Sequence, residues 1–161
     1  MKRIFFSIGI LAILALNIGA SAAAKANFSG SWKLDKAKSD GLPPGMDQAM
    51  KVTHEGDSVN IETTLKGEQG EQTVPDSYIL DGKEKDLQRG SAKGKRTSKW
   101  TTDGNGFEVS ENVTAETPEG EVKLQTTRKW TLAADGKTLT IEMKVNGPQG
   151  EQMSKRTFVK Q

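Results

Sequence analysis

The sequence predicts an all-β protein, a single antiparallel up-and-down meander barrel of 8 to 10 strands. Beyond residue 26, short segments with alternating apolar and polar residues follow one another, separated by turns that contain glycine. No helical pattern of about ten residues or more separates any two of these segments, so parallel crossovers are not expected. Consecutive antiparallel strands leave two exposed edges unless the sheet closes, which favours a barrel.

The first strand of this barrel is predicted over residues 27–35. Its apolar and small residues fall on one side and its polar residues on the other, the period of two that a half-buried strand requires. The inward side carries Phe28, Gly30, Trp32 and Leu34. We expect the rest of the chain to be organised around this strand.

A secretory signal peptide is predicted over residues 1–24, ahead of a barrel domain over residues 25–161. Lys2 and Arg3 precede an apolar run that is too short to span a membrane, and small residues ending at Ala24 follow it. Cleavage is expected after Ala24 or Ala26. The pattern predicts a soluble protein that is periplasmic or extracellular, with no membrane span.

Nine further strands are expected after the first. Asp-Gly pairs and other glycine-containing turns separate them, since glycine takes the positive φ that tight turns demand. The predicted strands are Met50 to Glu55, Ser58 to Lys66, Glu71 to Leu80, Lys83 to Gln88, Lys95 to Thr102, Phe107 to Thr117, Glu121 to Leu132, Thr138 to Asn146 and Glu151 to Lys160.

The connection between the first two strands contains Pro43 and Pro44 between two glycines. Proline and glycine at this density exclude a regular helix through its middle. At most one short turn of helix is expected, around Asp47 to Met50.

Composition excludes several classes of function. The chain has no cysteine, so it can form neither a disulfide framework nor a thiolate metal site. Lys2 and Arg3 are two of the 23 basic residues, so the chain without its signal peptide balances 21 basic against 21 acidic residues. Such a neutral chain lacks the basic field that nucleic-acid binding requires. We expect no nucleic-acid partner, no metal and no cofactor.

Strand parity places polar residues among the inward-facing apolar ones. His54, Arg96, Glu111 and Arg128 share the inward face with the aromatic residues Tyr78, Trp100, Phe107 and Trp130. Unpaired charges in a dry core would cost several kcal/mol each. The sequence therefore predicts a wet or ligand-filled cavity lined by these eight residues.

The two ends of the chain resemble the lipocalin and fatty-acid-binding (calycin) barrels. The first strand carries Gly30-x-Trp32, and the last reads Arg156-x-Phe158. The resemblance implies that a basic side chain of the last strand covers Trp32 and closes the barrel bottom, a role we expect for Arg156 rather than ligand binding. Phe158 stands where fatty-acid-binding proteins have a Tyr that helps to hold the ligand carboxylate. The chain is also similar to small secreted lipocalin-like proteins of bacteria.

Two functions are consistent with the sequence. The first is a monomeric binding protein for a small amphipathic ligand, with an anionic head group favoured by the inward arginines. The alternative is a protein-interaction or inhibitor module with a filled barrel. An enzyme is not expected, because His54 is the only histidine and no strand–turn–helix elbow presents a nucleophilic serine.

Overall fold

A computed structural model describes residues 25–118 and 120–161 of the chain. The predicted signal peptide, residues 1–24, lies outside the described residues. The strands are Gly30–Leu34 (β1), Asp47–Glu55 (β2), Ser58–Gly67 (β3), Gly70–Ile79 (β4), Asp81–Arg89 (β5), Ala92–Trp100 (β6), Gly106–Thr117 (β7), Gly120–Leu132 (β8), Thr138–Gly147 (β9) and Gly150–Lys160 (β10). Across these two ranges, the search for helices with the length and hydropathy of a membrane span found none.

The ten strands form one antiparallel sheet that rolls into a nearly closed barrel, as predicted. Their order is β4-β3-β2-β1-β10-β9-β8-β7-β6-β5, so the first and last strands pair and join the two halves. The sheet's two edges are β4 and β5, which follow each other in sequence but share no ladder among the described strands. Closure is therefore completed by side chains at this seam, not by backbone hydrogen bonds.

The predicted strands are confirmed, with one correction before β2. The expected helical turn around Asp47 to Met50 is wrong, because these residues begin β2 and pair with β3. Gln48 and Met50 are both buried, so the alternation of a strand already begins at Asp47, three residues before the predicted start. A single turn of 3₁₀ helix occurs earlier, over Lys36–Lys38, where the Asp35 carboxylate accepts a hydrogen bond from the Ala37 N–H at 3.2 Å.

One end of the barrel is solid. Its interior is filled by fully buried side chains, namely Phe28, Trp32, Val59, Phe107, Val109, Leu139 and Phe158. The other end is hollow, since all residues of β4 from 70 to 75 are exposed. Val74, whose partner on β3 is Thr63, faces the interior and is still 41% exposed. The interior therefore opens to solvent at the hollow end.

The basic residue that covers Trp32 is Lys160, not Arg156 as predicted. Lys160 lies opposite Trp32 in the β1–β10 ladder, and its Nζ is 5.3 Å from the centroid of the indole ring. Arg156 is four residues earlier on β10, and its Nη1 donates to Gln48 Oε1 at 2.7 Å. Strand spacing of about 3.3 Å per residue puts the Arg156 backbone well above the ring. The expectation that Arg156 closes the barrel bottom is thus corrected.

Candidate ligand-binding site

The hollow end contains a cavity of about 390 Å³ that opens to solvent. Strands β2 to β5 and β8 to β10 contribute to its wall. Its apolar lining residues are Met50, Ile61, Leu65, Val74, Pro75, Trp130, Ile141 and Met143, and its polar and charged ones are Gln48, Thr63, Asp76, Tyr78, Arg89, Arg128 and Arg156. The cavity is thus amphipathic, with an apolar surface and several cationic groups.

The predicted site residues separate into three groups. Tyr78, Arg128 and Trp130 line the cavity. Arg96 and Glu111 do not line it but contact residues that do. His54, Trp100 and Phe107 are not among its lining residues and instead contact the ring of Phe28 at the solid end, which corrects the expectation that they line the cavity.

His54 lies outside the cavity, and its ring nitrogens contact backbone groups. Its Nδ1 accepts a hydrogen bond from the Phe28 N–H at 3.3 Å, and its Nε2 lies 3.0 Å from the Gly56 carbonyl. The first contact requires a lone pair on Nδ1, so Nε2 carries the proton. Burial lowers the pKa of His54 below its ordinary value of 6.5 and keeps the ring neutral at neutral pH.

Trp100 and Phe107 also stabilise the solid end. The Trp100 indole N–H donates to Asp57 Oδ1 at 2.8 Å, and Lys25 Nζ lies 4.8 Å from the indole centroid. Phe107 is fully buried and stacks on Trp130 with ring centroids 5.1 Å apart. Phe107 therefore supports one lining residue of the cavity from below.

A buried carboxylate organises three arginines beside the cavity. The side chain of Glu111 is only 2% exposed. Its Oε1 accepts from Arg96 Nε at 2.7 Å and its Oε2 from Arg128 Nη1 at 3.1 Å, while both terminal nitrogens of Arg89 lie at 3.4 Å. The interior charges that the sequence left unpaired are thus largely compensated by one another, which satisfies the main requirement for burying them.

Asp76 extends this network across the seam between β4 and β5. Its carboxylate accepts from Arg89 Nη2 on β5 at 2.8 Å and from Arg96 Nη1 on β6 at 3.0 Å. Sequence reasoning missed Asp76 and Arg89 as site residues. Asp76 lies two positions before Tyr78, so the same strand parity that placed Tyr78 inside could have identified it.

Tyr78 joins the network from the floor of the cavity. Its hydroxyl donates to Asp76 Oδ2 at 3.0 Å, and the Arg96 guanidinium lies 4.9 Å from its ring centroid. Burial, first of all, and the nearby Asp76 charge raise the pKa of Tyr78 far above its ordinary value. The phenol is therefore neutral, and its hydroxyl is occupied by Asp76.

Two donors in the cavity wall remain unused. Trp130 Nε1 and Arg156 Nε are buried and have no hydrogen-bond partner within residues 25–118 and 120–161. Burial lowers the pKa of Arg156, and the positive charge of Arg128 lowers it further. Each buried donor without an acceptor costs about 1 to 3 kcal/mol. Neighbouring protein atoms cover both nitrogens, so a molecule that supplies acceptors reaches them only when a side chain of the wall shifts.

The two unused donors share one row of the sheet. Ile141 on β9 pairs with Trp130 on β8 and with Arg156 on β10. Neighbouring strands lie about 4.8 Å apart, so the two backbones are about 10 Å apart. Their side chains project from the same wall into the cavity that both residues line.

A second depression lies outside the barrel. The outer face of β1 to β3 carries a groove of about 450 Å³ with Lys33, Lys51 and Glu62 among its lining residues. Its charged residues are of both signs. Among the described residues, no group of three or more His, Asp or Glu side chains could hold a metal ion.

Comparison with solved structures identifies the architecture. A crystal structure of zebrafish ileal bile acid-binding protein, complexed with cholic acid, superposes with a TM-score of 0.54 at 18% identity, covering 83% of this chain and 98% of that chain. The fold is that of a calycin barrel. Secretory abundant heat soluble protein 4 from Ramazzottius varieornatus gives a TM-score of 0.49 at 14% identity, with 83% and 94% of the two chains covered. No protein family and no curated protein sequence matches the chain.

The resemblance in the first and last strands is therefore confirmed for the fold. At 18% identity the likeness extends to the architecture alone. The barrel fold accounts for the presence of an internal cavity, and the lining residues of this chain determine which molecules could bind in it.

Proposed function

We propose that the protein is an exported calycin-type binding protein for a small amphipathic molecule with an anionic head group. The observation that carries the proposal is the pair of unused donors in the cavity wall, Trp130 Nε1 and Arg156 Nε. An anionic oxygen could accept a hydrogen bond from the indole N–H or from the guanidinium N–H. The bond to Arg156 would be the stronger one because it is charge-assisted. Export rests on the predicted signal peptide.

The remainder of the cavity suits the apolar part of such a molecule. Met50, Ile61, Leu65, Ile141 and Met143 provide an apolar wall. Burying a ligand methylene against such a wall contributes about 0.8 kcal/mol. Head-group contacts at Arg156 and tail contacts along this wall can therefore be made by one molecule.

The alternative is a protein-interaction or inhibitor module with a filled barrel. The cavity of about 390 Å³ exceeds the roughly 300 Å³ at which small-molecule sites begin. Cavity volume thus favours the binding protein over the filled barrel. The bile-acid-binding protein with a similar fold supports the same choice.

The proposal is tested by isothermal titration calorimetry with dodecanoate and with 1-dodecanol, which share a tail and differ in charge. We expect saturable binding of dodecanoate and at least about tenfold weaker binding of dodecanol. Arg156→Met should weaken this preference. Lys155→Met changes the exposed residue just before Arg156 on β10. It is the matched control and should retain the preference for the acid. Equal affinities for the acid and the alcohol, or no binding of either, would contradict the proposal.

A further inference from the structure

The charges around the cavity do not balance. One carboxylate and three arginines line it, namely Asp76, Arg89, Arg128 and Arg156. Directly behind them, Arg96 and Glu111 add one charge of each sign. Among the described residues of the site, four guanidinium groups therefore face two carboxylates, which leaves two positive charges in excess.

One of the two excess charges lies on Arg156. Asp76 and Glu111 are shared among Arg89, Arg96 and Arg128 on β5, β6 and β8. Within the described ranges, Arg156 on β10 has no carboxylate partner and contacts the neutral Gln48. The remaining elements of the wall, β2, β3 and β9, contribute only uncharged lining residues. No acidic side chain of the lining is therefore available to neutralise Arg156.

Burial makes this excess costly. The Arg156 side chain is partly buried, and the like charge of Arg128 disfavours its protonated form. A ligand with one negative charge would still leave the site positive, whereas a ligand with two would make it neutral. Several head-group oxygens would also supply acceptors to both Arg156 Nε and Trp130 Nε1, which project from one row of the sheet.

We propose that the cavity selects a head group with two negative charges, held between Arg128, Arg156 and Trp130 Nε1. This inference rests on the proposed function and specifies its ligand class. The shared chemistry is a compact dianion on an apolar tail, found in a phosphate monoester and in a geminal dicarboxylate. Both present more acceptor oxygens than a single carboxylate does.

Two matched pairs of ligands test the inference at pH 8, below the concentrations at which they aggregate. Decyl phosphate carries close to two charges at this pH, and decyl sulfate carries one on a head group of similar shape. Decylmalonate differs from dodecanoate by one added carboxylate. We expect the dianion to bind about tenfold more tightly than its monoanionic partner in at least one pair, and the pair with the larger ratio distinguishes phosphate from dicarboxylate.

Arg156→Met should reduce that ratio to about one, because the variant removes one of the two excess charges while keeping a long apolar side chain. Lys155→Met should keep the ratio of the unmodified protein. If the monoanions bind and the dianions bind no more tightly in either pair, the inference is overturned and the proposed function stands. If no anion binds more tightly than 1-dodecanol, both are overturned. These comparisons within the unmodified protein decide the question even if Arg156→Met fails to fold.

Discussion

Lys160 covers Trp32 because the residue at position 30 has no side chain. The Lys160 Nζ lies 5.3 Å from the Trp32 ring centroid, and a Cβ on Gly30 would lie 2.6 Å from the Lys160 Cε. The indole N–H of Trp32 donates to the Phe28 carbonyl at 2.9 Å. The glycine of the Gly-x-Trp pattern thus leaves the space in which the lysine crosses the ring, and it also adopts a positive φ that other residues take only with strain.

Gly30→Ala is expected to destabilise the protein by about 1 to 3 kcal/mol, measured by chemical denaturation. Gly30 has a φ of +138°, which an alanine adopts only with strain. The flexible Lys160 side chain can move away from an added methyl group, so the backbone accounts for most of the loss. Combining the change with Lys160→Ala should therefore restore little stability.

Gly67→Ala is the control for this change, because no atom of the part of the chain that the structure describes lies within 4 Å of a Cβ placed there. It should leave the free energy of unfolding within about 0.5 kcal/mol of the original value. Full rescue of Gly30→Ala by Lys160→Ala would show that crowding, not backbone conformation, explains the glycine.

Glu111→Gln is expected to lower the free energy of unfolding by about 3 kcal/mol. The Glu111 carboxylate is the shared acceptor of Arg89, Arg96 and Arg128. A neutral amide would take the carboxylate partner from Arg128 and leave Arg89 and Arg96 with Asp76 alone. Glu108→Gln on the same strand removes only a partly exposed pair with Lys99, for which less than about 1 kcal/mol is expected. Similar losses for the two variants would mean that the network does not stabilise the barrel.

Asp76→Asn is expected to loosen the seam between β4 and β5. Asp76 is the residue of β4 that pairs with Arg89 and Arg96 across it. Amide hydrogen exchange should become about three- to tenfold faster in residues 70–79, with residues 120–132 unchanged. Asp86→Asn, which breaks an exposed pair with Lys95 between β5 and β6, is the control. Unchanged exchange in β4 would show that other contacts hold the seam.

Stability is expected to fall as the pH drops below about 6.5, owing to His54. Its pKa in the folded state lies below the ordinary value of 6.5, chiefly because of burial, so the unfolded chain binds the proton more readily. The neutral ring contributes its full stability at a pH above the pKa of His54 in the unfolded chain. This contribution is lost as the pH falls toward the lower pKa of His54 in the folded protein. Protonation of Nδ1 also removes the acceptor for the Phe28 N–H.

The free energy of unfolding, measured between pH 7.5 and 5.5, checks this prediction. His54→Phe keeps an aromatic ring beside Trp100 and cannot titrate, so its stability should change less over this interval. Asp57, whose pKa lies below its ordinary value of 3.8 chiefly through its hydrogen bond from Trp100, titrates outside the interval. Equal slopes for both proteins would contradict the role assigned to His54.

The sequence predicted the strands well because alternation and turn residues are local signals. Where it failed, a local signal misled or was missing. Pro43 and Pro44 concealed the early start of β2, although Gln48 and Met50 already followed its alternation. Nothing local shows that β4 and β5 separate at a seam, since an Asp-Gly pair at 81–82 is equally consistent with a hairpin.

The site was harder to predict because it depends on register. Arg156 and Lys160 share one face of β10, and only the pairing of β1 with β10 determines which of them reaches Trp32. Parity placed Arg96, Glu111 and Arg128 inside correctly, but it could not show that Glu111 pairs with both arginines. His54 also lies at a different level along the barrel axis from the cavity, and that level is determined only when the strands pair into a sheet.

The indole N–H signals of the three tryptophans test the central claim most directly. Trp32 donates to Phe28 and Trp100 donates to Asp57, whereas Trp130 Nε1 is unused in the cavity wall. In nitrogen–proton correlation spectra, with signals assigned from Trp→Phe variants, dodecanoate should shift the Trp130 signal saturably and leave the other two nearly unchanged. A Trp130 signal that stays in place while the ligand binds, or a larger shift at Trp100, would contradict an anion site in this cavity.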